Sequence, residues 1–347
     1  MIVVDLRSDT VTLPTAEMRR AMYEAELGDD VYGEDPTVNR LEAMAAERTG
    51  KEAAVLVASG TMGNLVCGLT HCGRGDEMIV GDTAHIYLNE QGGVAGLGGV
   101  QVRTIATDAR GMLDPRRVEA AIRPHGLQPP RTALVCMENT HNRGSGAAFT
   151  ANEMAGVTEV AHAHGASVHL DGARIFNAAV ALGVPVAELA AQADSLSFCL
   201  SKGLSCPVGS VVCGSESFIK RARRTREMVG GGMRQAGVIA AAGIVALETM
   251  MDRLAEDHAN AQQLAQGLAM IPGLSIEPSR IQTNIVYVDL LDTTAPELSA
   301  ALRARGVLAN GMGNWLRFVT HYGITAEDIE LALEAIEAAI NGARPVG

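Results

Sequence analysis

Seven short apolar runs punctuate the first two-thirds of the chain, at 53–58, 77–80, 102–105, 132–137, 167–170, 195–200 and 209–213. Polar, glycine-marked segments separate them, and several of these have helical spacing, as at 152–164. Apolar runs that are continuous rather than alternating predict strands buried on both faces, and hence a largely parallel sheet covered by helices. In such sheets ligands gather beyond the carboxyl ends of the strands. From about residue 233 an alanine-rich tract predicts helix to about 270. Beyond it come apolar segments at 284–290, 307–309 and 316–320, with helices predicted near 295–305 and 325–341. This second pattern predicts a small C-terminal α+β unit, with the boundary near residue 250.

Composition narrows the picture. A length of 347 residues predicts one large and one smaller domain. With 47% hydrophobic residues, 3% aromatic and 38 glycines, the core should consist of closely packed Ala/Val/Leu layers joined by tight turns. A net charge of -12 argues against nucleic acid or an anionic membrane as partner. No apolar run reaches spanning length, and the segment beginning Met-Ile-Val-Val-Asp lacks a signal-peptide layout. The six cysteines form no Cys-x-x-Cys and no zinc spacing, so a soluble protein of a reducing compartment, the cytoplasm, is expected. His162, His164 and His169 are not expected to hold a metal, since 162 and 164 point apart on a helix.

Lysine is rare here, at 51, 202 and 220 only. Arginine cannot lose its proton, so an attacking amine must come from one of these three. Lys202 ends the buried-looking run 195–200, which makes it a candidate Schiff-base residue; the alternative is a snorkelling surface lysine. Asp171 ends the run before it and can pair with the protonated ring nitrogen of a pyridoxal cofactor, or can cap a helix. Ser59-Gly60-Thr61 follows a strand and opens a helix, as a phosphate site or as an ordinary turn. The three glycines at 230–232 allow close backbone approach to a ligand or a neighbour, and Arg234 beyond them can reach an anion. Most of the arginines at 221–226 read as a solvated helix face. His85, after another strand end, can stack on a cofactor or move protons.

Together these segments resemble the low-specificity L-threonine aldolases. The resemblance rests on Asp5-Leu-Arg-Ser8-Asp9-Thr10, the stretch from Gly28 through Tyr32 to Glu42, and Ser59-Gly-Thr-Met-Gly. It continues through Glu138-Asn-Thr-His-Asn142, His169-Leu-Asp-Gly-Ala-Arg174, Ser201-Lys202-Gly and Gly230-Gly-Gly-Met-Arg234, in family order, and Arg317 extends it. It implies a fold-type I pyridoxal-phosphate enzyme, aspartate aminotransferase-like. Such an enzyme has a large domain with a mostly parallel seven-stranded sheet and a small C-terminal α+β domain. The expected division is an arm at 1–15, the large domain at 16–250 and the small one at 251–347.

By the same resemblance Lys202 forms the Schiff base, Asp171 pairs with the ring nitrogen and His85 stacks on the ring. Ser59, Gly60 and Thr61 hold the phosphate, with Arg234 supplied by a neighbouring subunit. Ser8, Arg174 and Arg317 bind the substrate carboxylate, Arg174 also bordering the cofactor, while Tyr32 and Glu90 line the pocket. The implied reaction is retro-aldol cleavage of L-threonine, L-allo-threonine and related β-hydroxy-α-amino acids to glycine and an aldehyde. It is a lyase reaction of threonine breakdown and glycine formation, without a metal, in a dimer of dimers with shared sites. The sequence departs from the family at Asn89, where an aromatic residue is common, and at Gln128, where a histidine is common. His125 stands three residues before Gln128, and Glu227 replaces a usually basic residue. Asn89 and Gln128 motivate one alternative, an amino-acid racemase on the same scaffold.

Overall fold

The computed structural model describes residues 3–343. Its first strand, β1 (Val4–Asp5), lies apart from the seven that follow: β2 (Ala53–Val57), β3 (Glu77–Gly81), β4 (Gln101–Ile105), β5 (Thr132–Glu138), β6 (Ser167–Asp171), β7 (Ser195–Cys199) and β8 (Ser210–Gly214). These seven form one sheet in the order β2-β8-β7-β6-β5-β3-β4. Only β8 runs opposed, pairing antiparallel with both β2 and β7. Each predicted run is a strand of this sheet. The central strands are buried along their whole length, which is why their sequences do not alternate.

Local chemistry starts the covering helices. Ser59 accepts the Met62 N–H (3.2 Å) and caps the helix Gly60–His71. Asp35 caps Pro36–Thr49, and Thr150 forms a capping box with Glu153 at the start of Ala151–Ala163. The main core joins Leu41, Leu56, Val135, Phe198 and Leu247 between sheet and helices.

The remaining strands are β9 (Leu274–Ser275), β10 (Ile285–Leu290), β11 (Val307–Leu308), β12 (Asn310–Met312) and β13 (Trp315–Val319). Four make an antiparallel sheet ordered β12-β13-β10-β9, while β11 pairs in parallel with β1. A second core forms here from Val4, Leu6, Leu264, Val286, Phe318 and Ile336.

Three expectations are refined. The alanine-rich tract is two helices, Gly237–Thr249 and Leu254–Ala269. The first buries its apolar residues in the main core and the second buries Ala261, Leu264 and Leu268 in the other, so the chain must turn as it crosses between cores. The start of the chain, expected as an arm, packs Val4 and Leu6 in the second core. Not all the arginines at 221–226 are solvated. Arg226 is 3% exposed, ion-paired with Asp30 (2.8 Å) and donating to the Leu56 carbonyl (2.8 Å), and Arg223 pairs with Glu42.

Candidate active site

Strand register sets Glu138, Asp171 and Ser197 side by side at the carboxyl edge of β5, β6 and β7. Asp171 is the buried centre. One carboxylate oxygen accepts the Ala173 N–H (3.1 Å), and the other accepts the Asn64 amide (2.8 Å). The same Asn64 nitrogen donates to Glu90 (2.8 Å), and Glu90 lies 2.7 Å from His85 Nδ1. Burial pushes the Asp171 carboxyl up, but the charges of His85 and Lys202 and the Asn64 hydrogen bond outweigh it and hold it below the usual range. Glu90 goes the other way, raised by burial and by the nearby Asp171 charge. His85 is raised despite burial, because Glu90 and Asp171 favour its cation. His85, Glu90 and Asp171 thus form a tight electrostatic cluster that holds one carboxylate ionised.

Lys202 follows β7 and is half-buried. Its carbonyl accepts from the Thr12 hydroxyl (3.2 Å) and the Ser205 N–H (2.8 Å), which pins the backbone beneath it. Its ammonium is close enough to Asp171, His85 and Asp9 to shift all three, yet makes no hydrogen bond or ion pair among the described residues. On the next strand end, Ser59-Gly60-Thr61 opens the helix Gly60–His71 with its first backbone N–H groups turned outward. A Cβ at Gly60 would come 2.7 Å from Cys199 Sγ, so the chain can pass here only as glycine.

Ser8, Arg174 and Arg317, expected to bind a carboxylate, are all tied to the segment 7–9, Arg174 through Asp9 and Arg317 through the Arg7 carbonyl. Arg174 is buried and spends Nε and Nη2 on Asp9 (2.6 and 2.7 Å), leaving Nη1 as its free end. It therefore offers a single-pronged contact rather than a two-pronged clamp. Asp9 is fully buried and also accepts from Asn284 (3.2 Å). Ser8, next to it, caps the turn Asp9–Val11. Arg317, on β13, donates to Asn142 Oδ1 (2.9 Å) and to the Arg7 carbonyl (3.1 Å), while its Nε is buried without a partner. Arg317, His85 and Asn89 line one cleft of about 330 Å³ with Asn142, Tyr287 and Trp315.

Glu138 ties the two halves of this cleft. One oxygen accepts the His85 N–H (2.7 Å) and the other the Asn142 N–H (2.8 Å). Glu138, Asn142 and Asn64 all stand in segments that the sequence singles out, but the sequence alone gives none of them a role. The only signal for Asn64 was its place in the helix that Ser59 opens.

Three expected residues are not brought to the site by a single chain. Tyr32 is 76% exposed. Arg234 is ion-paired with Asp29 at the surface (3.2 Å). Gln128 sits on an exposed turn before β5, whereas His85 follows the far end of the parallel neighbour β3, so the whole strand length separates them. His125 is exposed on the same turn.

Among known proteins, the Beta-eliminating lyase family matches residues 5–291. The chain is 46% identical to low-specificity L-threonine aldolase 1 of Arabidopsis thaliana, covering 97% of this chain and 96% of that protein. It is 45% identical to the low specificity L-threonine aldolase of Escherichia coli K12, over 94% of this chain and 96% of that one. In fold it is similar to the threonine aldolase of Leishmania major, with a TM-score of 0.83 at 18% identity, covering 97% of this chain and 99% of that one. The order of the large sheet and the small antiparallel sheet agree with the fold-type I architecture. Sequence identity along almost the whole chain and a fold matched from end to end lead to one statement: the chain belongs to the low-specificity L-threonine aldolase family.

Proposed function

We propose that the protein is a pyridoxal-phosphate-dependent aldolase. It cleaves L-threonine, L-allo-threonine and related β-hydroxy-α-amino acids between Cα and Cβ, giving glycine and an aldehyde. The observation that carries this reading is one cleft lined by His85, Asn142 and Arg317, whose His85 is linked through Glu90 and Asn64 to the buried anion Asp171.

The residues present fit the cofactor. Asp171 is held as an anion, Gly60 leaves a backbone-lined helix start for a phosphate, and the Lys202 amine is unpaired among the described residues. Lys202 would hold the cofactor covalently, Asp171 its ring-nitrogen proton, and Ser59, Gly60 and Thr61 its phosphate, with His85 against the ring. When bound, the cofactor supplies an electron sink for the pair released as the Cα–Cβ bond breaks. Arg317 and the free Nη1 of Arg174, with Ser8 beside them, bind the substrate carboxylate and so orient the bonds at Cα. Glu90 fixes the His85 tautomer. Glu90 and Asp171 favour the His85 cation; when His85 is deprotonated with its Nδ1–H on Glu90, its Nε2 lone pair can accept the β-hydroxyl proton.

Assembly as a dimer of dimers with shared sites is supported by the apolar side chains of Leu13, Tyr23, Leu27 and Tyr32, which one chain leaves exposed. In such an assembly Tyr32, Arg234 and Gln128 serve a neighbour's site. A cytoplasmic location is supported by six buried free thiols; among the described residues no helix is long and apolar enough to cross a membrane. The division at 16–250 and 251–347 is retained, with residues 3–8 moved from the arm to the small domain; Met1, Ile2 and residues 344–347 lie outside the described residues. No observation favours the racemase.

Aldehyde release by the holoenzyme from L-threonine, L-allo-threonine, the D-isomers and phenylserine tests the proposal. Glycine and aldehyde are expected from the L-isomers only. An enzyme whose cofactor spectrum responds to glycine but which releases no aldehyde would overturn it. Rapid Cα exchange and racemisation of alanine in heavy water would then point to the racemase.

A further inference from the structure

Behind Asp171 a chain of polar side chains leads away from the site. Asn64 Oδ1 accepts the Ser197 hydroxyl (2.8 Å) and lies 3.1 Å from His169 Nε2. His169 Nδ1 lies 3.0 Å from Ser195 Oγ, and that hydroxyl lies 2.8 Å from His71 Nε2. His169 and Asp171 are two apart on β6, so both face the helix that carries Asn64 and His71. Asn64, His169, Ser195 and Ser197 are all buried, and His71 stacks on Phe218 with ring centroids 4.5 Å apart.

The proton positions on Asn64 and His169 follow from one end of this chain, and the Ser195 hydroxyl also contacts the Cys67 thiol. The Asn64 amide nitrogen faces two carboxylates, Asp171 and Glu90, which only accept, so its oxygen must face the other way. That oxygen needs donors, so the His169 proton is on Nε2. A neutral His169 then accepts at Nδ1 from the Ser195 hydroxyl, and Ser195 in turn accepts from His71 Nε2–H. Burial keeps both rings neutral, pushing His169 down to about 4 and His71 down to about 3.

We propose that His169, backed by Ser195 and His71, is a positioning relay of fixed polarity that orients and polarises the Asn64 amide and so sets how strongly Asp171 holds a ring-nitrogen proton. The inference rests on the cofactor reading above and assigns residues that the reaction itself does not touch. Asp171 is also faced by Glu90, His85 and Lys202, and by the buried thiols of Cys67 and Cys136. The relay is an uncharged contribution that acts through the Asn64 amide. If the His169 Nε2–H is removed, Asn64 Oδ1 keeps only Ser197, and the amide's bonds to Asp171 weaken. Asp171 then takes a larger share of the ring-nitrogen proton. Less positive charge remains near the Lys202 nitrogen, which keeps its own proton to higher pH.

The test is a pH titration of the cofactor absorption band in the holoenzyme, with a thermal melt of each variant alongside. In His169→Leu the midpoint should rise by about 0.5–1 unit, the size of one net hydrogen bond. Ser195→Ala should shift it in the same direction by less, and His71→Phe by least. His169→Gln, which returns an N–H near the Nε2 position, should restore most of the wild-type value. Lower melting temperatures with midpoints unchanged in both His169→Leu and Ser195→Ala would overturn the relay, and Ser195→Ala alone decides the matter should His169→Leu not fold. A wild-type protein with no cofactor band would instead overturn the cofactor reading.

Discussion

Asp171 and Arg317 both stand ready to meet a ligand's charge, but they are supported in different ways. Everything that fixes Asp171 comes from the large domain: the Ala173 N–H, Asn64, and behind Asn64 the buried residues Ser197 and His169. Arg317 projects from the small domain, and its partners are elsewhere: Asn142 on the large domain and the carbonyl of Arg7. In the proposed reading the cofactor end is held by elements of the main core alone, and the substrate end joins elements of both cores. Cofactor affinity should respond to changes within the large domain. Substrate affinity should respond to the relation between the domains as well.

The sharpest break of this comparison is at its centre. Lys202→Ala should remove the covalent cofactor band and lower aldehyde release by roughly 10³-fold or more, read by absorbance and by coupled aldehyde assay. Unchanged spectrum and rate would undo the account of both ends. Asp9→Ala comes next, because it leaves the buried Arg174 guanidinium without its partner. Denaturant unfolding should show a loss of about 3–5 kcal/mol. The Asp9 carboxyl is held well below the ordinary carboxylate value, since Arg174 outweighs its burial. Its contribution is present above an unfolded value of about 3.9 and is lost as pH falls from there toward the depressed folded value. Asp9→Asn should therefore flatten the stability profile below about pH 4.

Arg317→Gln tests the substrate end alone. KM should rise by roughly 10- to 100-fold, the cost of a charge-assisted contact, with cofactor affinity unchanged. An equal fall in cofactor affinity would mean that the two ends are not independent. The smallest effect belongs to the distant turn. Gln128→His should change the ratio of L-threonine to L-allo-threonine cleavage by only a few fold, about 1 kcal/mol, and only where the protein is oligomeric. Size-exclusion chromatography beside the diastereomer assay checks both halves of that expectation.

The cofactor end was far more legible than the substrate end. The seven strands could be read from unbroken apolar runs, because parallel strands buried on both faces leave no other pattern. Lys202, Asp171 and Ser59–Thr61 were legible as residues that end those runs. Asn64, Glu138 and Asn142 were not. Asparagine and glutamate in a helix or at a strand end look ordinary until a neighbouring strand gives them a partner 26 to 175 residues away. The turn at 250–253 escaped notice for a related reason. No glycine or proline marks it, and what bends the chain is that successive helices belong to different cores. Arg174 is a further case. A buried arginine needs a carboxylate of its own, here Asp9, and its sequence neighbours give no sign of that partner 165 residues away.

The pairing of β1 with β11 also has a meaning in time. Val4 lies opposite Val307, so one of the earliest segments of this chain to be synthesised must wait for one of the later ones before it has a strand to join. Only then can the turn at Ser8 and Asp9 settle between the two cores. A ribosome-bound chain can complete the large sheet and the pocket around Asp171 well before that moment. Competence to bind cofactor should thus precede competence to bind substrate during synthesis, with closure of this long loop as the last step.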